Sequence, residues 1–369
     1  MTERPTLAVG VMSGTSLDGV DAALVRFDGP TECGLLQFVS RPYSSEEQRA
    51  ILQGIDGATA PALARLHVQL AEWASEAVEE VLSAAHTRAS DLSFIAIHGQ
   101  TIWHEPPLVS WQLTEPAVLA ERFGVRVVSN FRSRDISAGG QGAPLVPMAD
   151  VLLFGHADRP RVLLNVGGMA NLTYVPRRAI EADAFAFDTG PGMALVDGLA
   201  RGADASLRFD EGGRLARSGK VHESLLAELL ADPYFAAPPP KSTGRERFGP
   251  PFAARIAGKA PGADGVATAV ELTARSIVDS IVRWLPGVPE VVISGGGAHH
   301  PVLMERLGGL LALKGGTLRR FDDLFFSGDA KEAVAFALLG YLTVHGQPGN
   351  LASATGAAGP RVLGQITPA

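Results

Sequence analysis

The segment Phe187–Gly192 places a carboxylate directly before a glycine-rich turn. Asp188 ends an apolar run, and a helical pattern begins at Met193. In α/β proteins, active-site groups collect at such a strand end. A carboxylate there can act as a general base, and the N-terminus of the following helix favours an anion. Taken alone, an aspartate that caps a turn or a helix explains the segment at least as well.

A second segment, Gly10–Gly19, is rich in Gly, Ser and Thr and joins two apolar runs. A hairpin of this composition exposes backbone N–H groups that can hold phosphate oxygens. It lacks the Gly-Lys-Ser/Thr of a Walker A loop, and an ordinary tight hairpin is the alternative. The predicted ATP contacts here are Gly10, Ser13, Gly14, Thr15, Ser16, Asp18 and Gly19, with Asp18 also a candidate Mg²⁺ ligand.

Further glycine clusters follow predicted strands in the second half of the chain. Ser294–Gly297 would let a flat base or ribose lie against the backbone. One such cluster is weak evidence, but several together describe an interlobe cleft with a phosphate loop from each lobe. The remaining predicted ATP contacts are Gly167, Gly168, Gly190, Gly192, Gly295, Gly296 and Gly297.

These loops need strands and helices to position them. Apolar patterning predicts the order β-β-β-α-β-α-β over roughly the first 130 residues, which suits a mixed sheet with helices packed on it. The second half again opens with strand, glycine turn and strand, which hints at a duplicated unit. We therefore expect an N-terminal lobe over 1–140 and a C-terminal lobe over 141–369. The sequence leaves open whether the last helix packs back on the N-terminal lobe.

Composition narrows the class of protein. The chain has 369 residues, 46% of them hydrophobic and 19% charged, as in globular proteins of two domains. A net charge of −7 argues against a protein that binds nucleic acid or an anionic membrane. The single Cys33 rules out an intrachain disulfide. No leader pattern and no apolar run of membrane-spanning length is apparent, so the cytoplasm is the expected compartment.

The order of hairpin loop, strand-aspartate loop and triple-glycine loop resembles the superfamily of sugar kinases, actin and Hsp70-type chaperones. Several strings narrow the resemblance to the anhydro-N-acetylmuramic acid kinase family, although that family often has Asn where this chain has Met193. Those strings are Val11–Gly19, His98–Thr101, Ala138–Leu145, Asn165–Thr173 and Phe187–Pro191.

The resemblance implies a two-lobed actin-like fold of ribonuclease H-like domains, with ATP and an amino sugar in the interlobe cleft. It also implies the activity: phosphorylation of 1,6-anhydro-N-acetylmuramic acid, a cell-wall recycling product, with opening of its anhydro ring. Asp188 is carried over as the base that deprotonates water. ATP and Mg²⁺ are the implied cofactors.

Sugar contacts are predicted less directly. Arg132 and Arg134 are candidates for the lactyl carboxylate, and a solvated surface pair is the alternative. His98 ends a strand, and a structural histidine there is equally plausible. The loop that holds Gln141 is expected to line the sugar pocket, and family resemblance gives Glu332 a sugar contact. Asp135 could serve only to cap that loop.

Two other functions compete with this one. The first is a different sugar kinase of the same fold, and the second is an ATP-binding sensor or filament protein without catalysis. Asp188 speaks against the sensor. Neither nucleic acid nor membrane is an expected partner, and the sequence leaves a homodimer open.

Overall fold

The computed structural model describes residues 5–14, 16–178 and 183–369 and divides the chain into two compact units. Unit 1 comprises Met1–Phe154 with Asp329–Ala369, and unit 2 comprises Gly155–Gly328. This division differs from the sequence-based one at 140/141. The physical reason is that the glycine-rich segment is tied into unit 1, where the Gln141 N–H donates to the Thr355 carbonyl at 2.8 Å.

Unit 1 contains a six-stranded sheet in the order β13-β7-β4-β1-β2-β3 and a separate hairpin, β5-β6. Its strands are β1 (Thr6–Met12), β2 (Gly19–Gly29), β3 (Glu32–Pro42), β4 (Phe94–Ile97), β5 (Gln100–Glu105), β6 (Val109–Leu113), β7 (Val127–Ser129) and β13 (Gln365–Thr367). Its helices are α1 (Ser45–Ile55), α2 (Ala60–Ala84), α3 (Pro116–Phe123), α4 (Ser133–Ser137), α5 (Val146–Ala149), α14 (Lys331–Val344) and α15 (Ala352–Thr355).

Local sequence explains how the layers of unit 1 form. Ser44 and Glu47 make a reciprocal capping box that starts α1. Apolar residues of α2 join those of β1 and β2 in one buried cluster. Helix α14 is buried on nearly every side and packs so closely on β1 that a Cβ at Gly10 would lie 2.0 Å from the Ala333 carbonyl oxygen. Helix α14, the last long helix, therefore belongs to unit 1.

Unit 2 contains a five-stranded sheet in the order β10-β9-β8-β11-β12. Its strands are β8 (Arg161–Val166), β9 (Met169–Val175), β10 (Phe185–Pro191), β11 (Glu290–Ser294) and β12 (Thr317–Arg320). Its helices are α6 (Met193–Ala203), α7 (Arg214–Ser218), α8 (Glu223–Leu230), α9 (Pro233–Ala236), α10 (Arg245–Phe248), α11 (Pro250–Lys259), α12 (Ala263–Trp284) and α13 (Pro301–Ala312).

Both main sheets are built on the same plan. In each, three consecutive antiparallel strands are followed by two strands that extend the sheet in parallel from the first. Unit 1 adds only β13 at the edge beyond β7. The predicted mixed α/β architecture with helices on mixed sheets is therefore confirmed, and the shared strand order agrees with a repeated ribonuclease H-like unit. Within the described ranges, no helix combines the length and apolarity needed to cross a lipid bilayer.

Candidate active site

Asp188 lies on β10 of unit 2, where the pairing with β9 shifts between Asp188 and Gly190. Such a bulge re-aims a side chain locally and is common beside active sites. The carboxylate is half-buried, and its Oδ2 accepts a hydrogen bond from the Thr243 N–H at 2.8 Å. Within the described part of the chain, Oδ1 accepts none. One oxygen is therefore fixed by the backbone, and the other is left for a ligand.

Burial raises the pKa of Asp188 to about 6. The Thr243 N–H acts in the opposite direction, because it stabilises the charged carboxylate, and nearby Glu246 raises the pKa slightly further. A carboxylate with this pKa is ionised at pH 7 and is a stronger base than an exposed aspartate. These properties are what a reaction that removes a proton from water needs.

The helix after Asp188 behaves differently from the sequence-based expectation. The first amides of α6 do not face outward to meet an anion. Gly192 and Ala194 donate to the Gly168 carbonyl at 3.1 and 3.2 Å, and Met193 donates to the Gly167 carbonyl at 2.7 Å. The β8–β9 turn thus caps α6, so this N-terminus is used within the protein. The Met193 side chain is buried in the core of unit 2, where a polar residue would need a partner.

The predicted ATP-binding glycines separate into two groups when a Cβ is placed on each. In the first group, the packed glycines, that Cβ would lie less than 3.0 Å from another residue: Gly10, Gly19, Gly190, Gly192, Gly295 and Gly297. In the second group, the open glycines, nothing lies closer than 3.5 Å: Gly14, Gly167, Gly168 and Gly296. Internal packing accounts for glycine at the first group. It does not account for glycine at the second, and close approach of a ligand would.

Unit 1 gathers charged and aromatic side chains at the end of β4. The Nε of Arg132 donates to Nε2 of buried His98 at 2.8 Å, and its Nη1 donates to the Gly142 carbonyl at 2.7 Å. Burial lowers the pKa of Arg132 only to about 10, so the guanidinium stays charged. Burial and that neighbouring charge hold the pKa of His98 well below its usual range, so His98 is neutral. Arg132 Nη2 has no bond within the described residues.

Glu332 is the second residue of α14. Solvent reaches it, yet surrounding protein removes much of its hydration and raises its pKa, while the charges of Lys331 and Arg132 lower it. Lys331 is itself buried and pairs with buried Asp150 at 2.7 Å. Arg132 and Glu332 therefore influence each other electrostatically, and the structure brings His98, Arg132 and Glu332 into one neighbourhood.

Other predicted sugar contacts lie elsewhere in unit 1. Arg134 is exposed and lines a separate recess with Asn130, Ser137 and Arg361. Gln141 is also exposed. The Asp135 carboxylate organises the loop that holds Gln141. It accepts three hydrogen bonds at 2.7–2.8 Å, from the Gly142 N–H, Asn350 Nδ2 and Thr355 Oγ1. The loop-capping role considered for Asp135 is thus what its contacts show.

The polar residues of the β1–β2 hairpin occupy different environments. Ser13 is buried, whereas Ser16 and Asp18 are exposed, and the Ser16 hydroxyl donates to Asp18 Oδ1 at 2.7 Å. Thr15 lies outside the described residues. Buried Gln100, which the sequence analysis did not select, donates from Nε2 to the Gly14 carbonyl at 3.2 Å. The start of β5 is therefore linked to the β1–β2 hairpin.

Sequence reasoning also missed the neighbours of Asp188. Thr243, Tyr234 and Lys241 lie in or next to a proline-rich segment that the sequence analysis did not select. The signal available was the polar run Lys241–Glu246 directly after three prolines, which is unusual for a simple surface connection.

The family model described as anhydro-N-acetylmuramic acid kinase matches residues 6–369. The anhydro-N-acetylmuramic acid kinase of Gloeobacter violaceus is 43% identical and covers 99% of both chains. That of Caldanaerobacter subterraneus is 40% identical, covering 98% of this chain and 96% of its own. Among solved structures, a ROK hexokinase from Thermus thermophilus is 16% identical with a TM-score of 0.39, covering 92% of this chain and 100% of its own.

Proposed function

Because the chain belongs to the anhydro-N-acetylmuramic acid kinase family, we propose that it opens 1,6-anhydro-N-acetylmuramic acid with water and phosphorylates O6 from ATP. The products are N-acetylmuramic acid 6-phosphate and ADP, in a step of cell-wall recycling. The observation that carries this proposal is the half-buried carboxylate of Asp188, with one oxygen fixed and the other unbonded.

The substrate explains why a base is needed. O6 is bonded to C1 and has no proton to lose, so the usual activation of a hydroxyl is not available. Asp188 takes a proton from water, and the hydroxide attacks C1. The C1–O6 bond breaks, O6 attacks the γ-phosphorus, and ADP leaves. The attack on C1 resembles inverting glycoside hydrolysis, with the phosphoryl group capturing the leaving oxygen in place of an acid.

Recognition of the sugar is assigned to unit 1. The lactyl carboxylate needs a cation, and Arg132 offers a charged guanidinium with Nη2 unused. His98 and Gly142 hold the other guanidinium nitrogens and so fix its orientation. Glu332 would accept hydrogen bonds from sugar hydroxyl or amide groups. Arg134 and Gln141 are exposed, and Arg134 lines a different recess, so we give neither the principal role.

ATP is assigned to the open glycines. Gly14 lies in the β1–β2 turn, and Gly167 and Gly168 form the β8–β9 turn. The amides of these turns suit phosphate oxygens. Gly296 follows β11 and leaves room for the nucleoside. Ser13 and Ser16 would add hydroxyl contacts. The packed glycines shape these loops without needing to touch the nucleotide.

Mg²⁺ is the metal that such a transfer implies. No group of three or more acidic, His or Cys side chains in the described ranges could hold an ion. This fits Mg²⁺, which keeps several waters and is bound by substrate phosphates with one or two carboxylates. Exposed Asp18, beside the proposed phosphate loop, would be that carboxylate. When bound, the ion offsets negative charge on the transferring phosphoryl group.

A panel of sugars tests the proposal against its alternatives. We expect ADP release from ATP with 1,6-anhydro-N-acetylmuramic acid and little with N-acetylmuramic acid, N-acetylglucosamine or glucose. Faster release with a sugar that has a free 6-hydroxyl would indicate an ordinary hydroxyl kinase. ATP binding without ADP release for any sugar would indicate a sensor.

A further inference from the structure

Asp188 is held by a segment that is distant in sequence. Its Oδ2 accepts from the Thr243 N–H at 2.8 Å, and its own N–H donates to the Lys241 carbonyl at 3.0 Å. Its carbonyl accepts from the Tyr234 hydroxyl at 2.7 Å. The backbone on both sides of the carboxylate and the carboxylate itself are thus bound by one stretch, residues 234–243, which we name the clamp.

Two residues of the clamp, Lys241 and Tyr234, also contact each other. The Lys241 ammonium donates to the Tyr234 carbonyl at 3.0 Å and lies 4.6 Å from the centre of the Tyr234 ring. Tyr234 packs edge-on against Phe248, which is fully buried in the core of unit 2. A tyrosine anchored in the core therefore bonds both to the strand that bears Asp188 and, through Lys241, to the far end of the clamp.

The two carboxylate oxygens of Asp188 differ in their hydrogen bonds. A hydrogen bond fixes Oδ2, while Oδ1 accepts none within the described part of the chain. A base that must deprotonate one water molecule in a set direction needs this asymmetry, because a rotating carboxylate would present either oxygen. Among the residues that the structure describes, no other contact to the Asp188 side chain supplies it.

Building on the function proposed above, we propose that Tyr234 and Lys241 are positioning residues for the reaction: they hold Asp188 so that Oδ1 faces the attacking water. Neither touches the reacting atoms in this account. Their effect is transmitted through the backbone of Asp188 and through the Thr243 N–H.

Tyr234→Phe is the sharpest test, because it removes one hydroxyl and keeps the ring in the core. We expect kcat to fall roughly 10- to 100-fold, as small misplacements of catalytic groups do, with KM for ATP unchanged. The acidic limb of the pH profile of kcat should also move to lower pH. A looser clamp hydrates Asp188, and burial is the largest cause of its raised pKa. Tyr174→Phe, the same change on β9 of unit 2, is the control. It should leave kcat and the acidic limb of its pH profile at wild-type values.

A second readout does not depend on turnover. The carboxyl carbon of Asp188 is followed by ¹³C NMR through a pH titration, with the signal assigned by its loss in Asp188→Asn. We expect the pKa in Tyr234→Phe to drop by on the order of one unit from the wild-type value, because burial is the largest cause of the raised pKa and outweighs the Thr243 hydrogen bond. Lys241→Met should also displace the pKa, with the loss of the ammonium charge opposing the drop. A wild-type pKa in both variants would overturn the clamp. Absence of wild-type turnover with the anhydro sugar would instead refute the proposed function, and the titration would still decide the clamp.

Discussion

The two units build the same strand order into their main sheets, but they surround their candidate sites with different chemistry. In unit 1, charged side chains meet ring nitrogens and one another, as Arg132 does with His98 and Lys331 with Asp150. In unit 2, a backbone N–H bonds to the carboxylate of Asp188, and a tyrosine hydroxyl bonds to the main-chain carbonyl of the same residue. The first arrangement suits recognition of a charged sugar, and the second suits one proton transfer. Under the proposed function, two units with the same strand order therefore carry two separate tasks.

The largest effect should come from unit 2. Asp188→Asn keeps size and polarity but removes the base, so kcat should fall about 10²–10⁴-fold while ATP still binds. Stopped-assay kinetics and calorimetry measure the two quantities. Asp197→Asn is the matched control, because burial raises the pKa of Asp197 in the same unit as well. If Asp188→Asn retained near-normal turnover, Asp188 would be only a turn aspartate.

The next effect should come from unit 1. Arg132→Gln removes a charge-assisted contact worth about 1.5–3 kcal/mol, so KM for the anhydro-muramic sugar should rise roughly 10- to 100-fold. Exposed Arg134→Gln should change KM little. The penalty should vanish with 1,6-anhydro-N-acetylglucosamine, which has no lactyl carboxylate. An equal penalty for both sugars would show that Arg132 supports the fold of the loop rather than the carboxylate.

Substitutions at the open glycines and at the packed glycines should change different properties: ATP affinity for the first group and the free energy of unfolding for the second. Gly14→Val and Gly296→Val should fold normally and weaken ATP binding, because the added side chain occupies space left for the ligand. Gly10→Ala should instead lower the free energy of unfolding by about 1–3 kcal/mol or more, because its Cβ meets the backbone of α14. Denaturant melts and calorimetry distinguish the two classes. Normal ATP affinity in both folded valine variants would contradict the assignment of the open glycines.

The smallest effect is the response to pH near neutrality. Asp188 acts only when ionised, and its pKa lies at about 6. The rate should therefore be nearly flat from pH 7 upward, halve near pH 6, and fall about tenfold for each further unit. An exposed aspartate would keep full activity down to roughly pH 4.5. A profile flat to pH 5 would mean that Asp188 is not buried as described, or that chemistry does not limit kcat.

Much of the framework was predictable because its signals are local. The strand β1 follows from a short apolar run, and the helix α1 follows from the Ser44–Glu47 capping box. The hairpin β5–β6 was missed, because two prolines interrupt it and Trp103 and Trp111 face outward. Patterning could not distinguish the packed from the open glycines, since the difference depends on which residues from other parts of the chain lie against each glycine.

Only part of the candidate site could be predicted from the sequence, for a related reason. Asp188 stands beside a glycine turn, and this local pattern draws attention to it. Thr243 lies 55 positions away, and its contact is made by a backbone N–H, which any residue but proline could supply. Residue types therefore could not reveal the clamp. Arg132 and Arg134 looked equivalent in sequence, and only the fold places the first beside His98.

The most direct test of the account follows the oxygen atoms through a single turnover. The reaction is run in ¹⁸O-labelled water and sampled before the anomeric hydroxyl exchanges with solvent. Water that attacks C1 should leave one ¹⁸O on the anomeric carbon and none in the bridge between C6 and phosphorus. Product without anomeric label at early times, or label in the phosphate ester bridge, would contradict the proposal that Asp188 directs water to C1.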